Sequence, residues 1–319
     1  MIFRRYNTSV LAVVALGLLL IYYYIRQPLI LSPFGAKILA NQGTTLALAA
    51  LAQLVVVLTG GVDLSVGAVV SLSNCIAATY MGSHPASVIA VCVLTLAVGA
   101  GAGLVNGVLV AYGRIQPIIV TLATLYIFSG LALMVRPQPG GLVPPFYANA
   151  LTGGWGYLPY AMVALFVMLF AVWTPLMRSR LGTAIRAVGD NPGGAHMSGI
   201  NVPRTLILAY VMGGVFAAAA GLYLTAQTTS GDAAIGTSYT LNSVAAVVFG
   251  GALLGGGRGV APGPVIAAYF LSIIISVLFA AGISPFYQSV FQGGILMVVL
   301  VFGNLWTLRT RNWLTILKN

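Results

Sequence analysis

Apolar residues run along this chain in blocks of about 16–24, separated by polar or Pro/Gly breaks and lacking the alternation of a membrane strand. The blocks predict helices over approximately 9–25, 38–59, 64–82, 86–112, 117–135, 158–177, 205–226, 240–257, 261–281 and 288–306. Backbone polar groups in hydrocarbon must be paired within the protein, so such blocks fold as helices. The expected fold class is an all-α integral membrane protein, a polytopic bundle of about ten transmembrane helices forming one membrane domain over residues 1–319. The first block follows Arg4 and Arg5 and ends at Tyr22, Tyr23 and Tyr24 without a small-residue cleavage site, so it reads as an uncleaved helix with an interfacial aromatic end.

Composition strengthens this picture. Hydrophobic residues make up 60% of the chain and charged residues 5%, where a soluble domain carries about 25%. The net charge of +11 comes from 14 basic residues scattered in ones and twos, with no dense tract or aromatic platform, so nucleic acid is not expected as a partner. With the N-terminus placed inside, the inner segments hold Arg4, Arg5, Arg114, Arg178, Arg180, Arg186, Arg204, Arg258, Arg309, Arg311 and Lys318, and the outer ones Arg26, Lys37 and Arg136. That asymmetry places both termini in the cytoplasm. Two connections are long: 136–159 outside, rich in Pro, Gly and aromatics and suited to a partly ordered lip, and 178–204 inside, with four arginines. Gly99, Gly103 and Gly107, like Gly213, Ala217 and Gly221, recur every fourth residue and predict faces where helix backbones approach closely.

Much chemistry is missing. Neither Lys37 nor Lys318 follows a Gly-x-x-x-x-Gly run, so there is no phosphate-cradling loop. His84 and His196 are far apart, Cys75 and Cys92 lie inside apolar blocks, and Ser65 has no candidate base beyond Asp63, so metal binding and nucleophilic catalysis are not expected, nor any cofactor. Asp63, Asp190 and Asp232 are the only acids. A carboxylate inside an apolar block costs roughly 2.5–3.5 kcal/mol on insertion scales, so Asp63 needs a local partner or a task. Gly60-Gly61 breaks the preceding helix, and Asp63 stands where it can cap the next one. A broken helix can equally expose Asp63 and Ser65 to a substrate path. The neutral residues Asn41, Gln42, Gln53, Asn74, Asn106, Asn242 and Gln292 also fall within the blocks. They can bind helices together or line a path for an uncharged, hydroxyl-rich solute.

Three stretches carry a family resemblance: G-G-V-D-L-S-V-G at 60–67; S-R-L-G-T-A-I-R-A-V-G-D-N-P at 179–192 with S-G-I at 198–200; and A-A-V-V-F-G-G at 245–251 with G-G-G-R-G-V at 255–260. Together the chain resembles the membrane permease subunit of bacterial ribose-type monosaccharide ABC importers. The resemblance implies a multi-pass inner-membrane subunit that moves a neutral sugar or polyol-like solute. It also implies a separate ATPase subunit on the cytoplasmic face, a periplasmic sugar-binding protein, and a second permease subunit, like or sister. The inner connection is then the segment that docks on the ATPase, with Arg178, Arg180, Gly182, Arg186, Gly189, Asp190, Asn191, Ser198 and Gly199 as its candidate residues. Asn41, Gln53, Asp63, Ser65, Asn74 and Asn242 are candidates for the pathway or its gate. Where such permeases carry acidic residues before A-A-V-V, this chain reads Y-T-L-N-S-V, with Thr240 and Asn242. The branched-chain amino-acid type of ABC permease shares this architecture and is the main rival reading. An ion-coupled secondary transporter would need more intramembrane acids than Asp63.

Overall fold

Proline opens most of the long helices, where its missing N–H leaves no bond unmade and its ring presets the first turn. A computed structural model describes residues 7–284 together with 287, 290, 293, 294 and 297. The predicted span 288–306 lies outside the described residues except at isolated positions, and Arg4, Arg5, Gln292, Arg309, Arg311 and Lys318 lie outside them altogether. Helices α1 (Asn7–Arg26), α2 (Pro33–Val57), α3 (Val66–Tyr80), α4 (Pro85–Ala111) and α5 (Pro117–Val135) come first. The outer connection then folds as α6 (Pro145–Thr152) and a two-residue-per-strand hairpin of β1 (Gly154–Trp155) and β2 (Leu158–Pro159). Helices α7 (Tyr160–Val167) and α8 (Thr174–Arg178) are joined into one rod by a π-helical turn at Met168–Trp173. Two short helices, α9 (Arg180–Asp190) and α10 (Pro192–Met197), lead to α11 (Val202–Thr228), α12 (Thr237–Phe249) and α13 (Pro262–Ala280).

Six of these helices are long and apolar enough to cross a membrane: α2, α4, α5, the α7–α8 rod, α11 and α13. Two predicted spans are shorter than expected. Helix α3 has 15 residues and α12 has 13. At 1.5 Å per residue they reach about 20 Å, against about 30 Å of hydrocarbon. The predicted span 240–257 stops at Phe249 because the glycines that follow turn away as a loop, with Gly251, Gly256 and Gly257 at positive φ. The outer connection is more ordered than a loose lip, and Gly140 bridges Gly231 in the turn between α11 and α12.

Helix α11 is the axis of the bundle. One face receives α4 along the glycine stripe. A Cβ at Gly99 would lie 2.5 Å from the Gly214 carbonyl oxygen, and one at Gly107 2.7 Å from Ile207 Cα. The opposite small-residue face seats α2 and α3, with Gly213 against Val56 and Gly221 against Ser73. No hydrophobic effect drives helices together in lipid, so this backbone proximity supplies the packing energy. The apolar side chains left exposed, including Ile118, Leu122 and Tyr126 on α5 and Phe166 and Phe170 on the α7–α8 rod, face outward as in a lipid-solvated protein.

Candidate functional site

Between α2 and α3 the chain leaves helical geometry for residues 58–65, and side chains from α2, α4 and α5 lie against it. Gln53, fully buried on α2, reaches Asp63 with its amide oriented to satisfy both groups: Nε2 donates to the Asp63 carbonyl oxygen at 2.8 Å, and Oε1 accepts the Asp63 N–H at 3.1 Å. The side chain thus mimics a paired strand. Thr121 Oγ1 on α5 lies 3.3 Å from the Val62 carbonyl oxygen, while its single proton has a closer acceptor in the Pro117 carbonyl oxygen of its own helix, at 2.9 Å. The Asp63 carboxylate, 3% exposed, accepts the Ser65 N–H at 2.8 Å and the Ser65 hydroxyl at 2.6 Å. Asn106 on α4 donates Nδ2 to Ser65 Oγ at 2.8 Å. Asp63 therefore makes an Asx-turn two residues ahead of the N-cap position of α3, which Ser65 occupies. The simple capping expectation was displaced by two residues.

The structure thus brings Gln53, Asp63 and Ser65 together and adds Asn106 and Thr121. Asn106 stood among the polar residues of the sequence without any sign that it meets Ser65, and Thr121 had no signal at all. The other candidates lie elsewhere. Asn74, fully buried on α3, donates Nδ2 to Thr225 Oγ1 and to the Ser230 carbonyl oxygen, both at 2.9 Å, and accepts the Asp232 N–H at 2.8 Å. Its polar groups hold α3 to the α11–α12 turn. Asn41 donates to the Thr152 carbonyl oxygen at 2.9 Å and accepts the Tyr223 hydroxyl at 2.5 Å. Asn242 is half-buried on α12, one residue beyond the exposed Leu241.

The remaining parts of the 60–67 motif also have physical reasons. Gly60 takes φ +86°, which L side chains rarely adopt. Gly67 lets α12 approach so closely that a Cβ there would overlap Thr240 Oγ1 and the Gly236 carbonyl oxygen. Thr240, at the position where resembling permeases carry acid, is thus buried against α3.

A second surface forms where α9 and α10 leave the bundle. Gly182, Ile185 and Val188 are buried at three-residue spacing, while Arg180, Thr183, Arg186 and Asp190 are exposed on the other face. Arg178 is exposed at the end of α8. Three side-chain caps punctuate the segment: Ser179 accepts the Gly182 N–H at 3.3 Å, Asn191 the Gly194 N–H at 3.0 Å, and Asn201 the Arg204 N–H at 3.0 Å. Asn191 is thereby the cap of α10, a role its place in the motif did not reveal. Ser198 and Gly199 close α10, with Gly199 at φ +80°.

A helical membrane bundle with an interrupted segment and an amphipathic helix packed against it has the layout of a transport protein. The chain belongs to the family described as branched-chain amino acid transport system / permease component, whose model matches residues 35–300. It is 33% identical over 270 residues to the ribose import permease protein of Escherichia coli strain K12, covering 83% of this chain and 84% of that protein. With the ribose import permease protein of Bacillus subtilis it shares 33% over 299 residues, 90% of this chain and 89% of that one. With the galactose/methyl galactoside import permease protein of Salmonella typhimurium it shares 29% over 311 residues, 92% and 93% of the two chains. No solved structure matches it.

Proposed function

We propose that this chain is the membrane permease subunit of a bacterial ABC importer and passes a monosaccharide across the inner membrane. A periplasmic binding protein delivers the sugar, and a separate ATPase subunit drives the passage. Two permease subunits, identical or sister, flank the path, and no cofactor is held in this one. What supports the reading most strongly is identity of about one residue in three to ribose import permeases over most of both chains. The exposed Arg180–Thr183–Arg186–Asp190 face supplies a surface for the ATPase. Asp63 with Ser65, Gln53 and Asn106 holds the interrupted segment at the path, and Asn41, Asn74 and Asn242 stand as further pathway residues.

The decisive experiment is reconstitution. Permease, ATPase subunit and loaded binding protein in liposomes should accumulate a pentose or hexose when ATP is supplied on the ATPase side. Accumulation by the permease alone under a proton or sodium gradient would overturn the reading. The family's own description points to branched-chain amino acids as a second cargo class. Leucine uptake without sugar uptake in the same liposomes would favour it.

The arginine asymmetry of the sequence supports about ten spans with both termini in the cytoplasm. A fluorescent reporter fused after Asn319 should therefore glow, while a dark fusion paired with an active periplasmic phosphatase at the same site would reverse the orientation.

A further inference from the structure

Three glycine segments, far apart in sequence, meet backbone to backbone beside the interrupted α2–α3 connection. Gly189 is the next-to-last residue of α9, Gly60 follows α2, and Gly256 and Gly257 lie in the loop after α12. The Gly257 N–H donates to the Leu58 carbonyl oxygen at 3.0 Å. A Cβ at Gly189 would overlap that same carbonyl oxygen and lie 2.6 Å from the Gly257 nitrogen. A Cβ at Gly256 would lie 2.7 Å from the Gly189 carbonyl oxygen and 2.8 Å from the Gly60 nitrogen. No side chain separates the three strands of backbone, so none can yield by changing rotamer.

From this contact we infer that Gly189 is a positioning residue for transport. Through it, displacement of the α9 segment bears directly on Leu58–Gly61 and hence on the turn that holds Asp63. The inference rests on the proposed ATPase docking at α9. Two features beside the contact suit a joint that moves. A cavity of about 180 Å³ has Thr59, Gly60, Gly61, Val188, Pro192 and Tyr210 among its lining residues, so it borders both the interrupted connection and the α9 segment. The Tyr210 hydroxyl is buried there without a hydrogen-bond partner among the described residues, and a Cβ at Gly61 would lie 2.8 Å from it. A buried hydroxyl left unpaired is costly, and this one stands against the backbone at Gly61. Packed backbones without compliant side chains transmit displacement rather than absorb it.

The test uses the complete transporter in liposomes and reads two quantities, sugar uptake and ATP hydrolysed. Gly101→Ala is the control, since a Cβ there, on α4 and away from the joint, meets nothing within 4 Å. It should behave as wild type. Gly189→Ala should still co-purify with the ATPase subunit and hydrolyse ATP, while uptake per ATP falls about tenfold, within the range of ordinary coupling free energies. Should that variant fail to accumulate in the membrane, Gly257→Ala reads the same joint from the loop side, its Cβ 2.9 Å from Asp190 Cβ and 3.0 Å from Asp190 Cα, with the added backbone strain of a side chain at φ +71°. Unchanged uptake per ATP in whichever variant accumulates overturns the inference. Absence of ATP-driven uptake in the wild-type complex would instead strike the importer reading itself.

Discussion

Arg186→Glu should abolish uptake while the chain remains inserted and folded. Helix α9 offers Arg186 on its exposed face, between Thr183 and Asp190, and buries Gly182, Ile185 and Val188 against the bundle. A substitution on that outer face removes no packed atoms, and surface changes of this kind shift stability by only about 0.5 kcal/mol. Against a partner the effect is far larger. Losing one member of a desolvated charge pair costs about 2–5 kcal/mol, which is about 30-fold or more in affinity, and reversal adds repulsion to that loss. The expected result is a thermal unfolding curve close to wild type, loss of co-purifying ATPase subunit, and uptake at background. Normal uptake in this variant would remove α9 from the docking surface.

Hydropathy made the long helices legible because a membrane helix and its solvent are coded by the same property, apolar length. Helices α4, α5 and α13 lie within a residue or two of their predicted spans. It misjudged α12 for a related reason. Residues 250–257 carry no charged or strongly polar side chain, yet they fold as a glycine-rich loop with Leu254 exposed. The absence of polar side chains therefore cannot distinguish a glycine loop from the end of a helix. The glycine stripes were readable as close packing, but their partner was not. That α11 lies between α4 on one face and α2 and α3 on the other is a fact of tertiary arrangement that spacing along a single helix does not contain.

The polar cluster shows the same boundary. Asp63 was conspicuous because carboxylates are rare in this chain. Its local partner Ser65 was two residues away and visible, whereas Gln53, Asn106 and Thr121 converge on the segment from three helices. Seven amides within the predicted spans were equally eligible by sequence. Only the fold distinguishes Gln53, which pairs the backbone of Asp63, from Asn74, which ties the middle of α3 to the turn between α11 and α12.

Two substitutions at Asp63 should separate holding the turn from carrying its charge. Asp63→Leu removes the acceptor for both the Ser65 N–H and the Ser65 hydroxyl, leaving buried donors that cost about 1–3 kcal/mol each. The expected outcome is a sharp drop in folded protein extracted from the membrane, read by size exclusion in mild detergent. Asp63→Asn keeps an acceptor oxygen in the same place and loses only the charge-assisted part of each bond, about 1 kcal/mol apiece. That variant should accumulate with a modestly lower melting temperature and transport more slowly than wild type, because the Asx-turn from residue 63 to Ser65 becomes easier to displace. Retained Gln53 pairing in Asp63→Asn explains why the loss should stop short of unfolding, since the backbone at residue 63 stays bonded to α2 whichever side chain it carries. Wild-type flux together with wild-type stability in Asp63→Asn would show that the carboxylate serves only as a local acceptor. The task of the interrupted segment would then fall to its backbone and to Gln53 and Asn106.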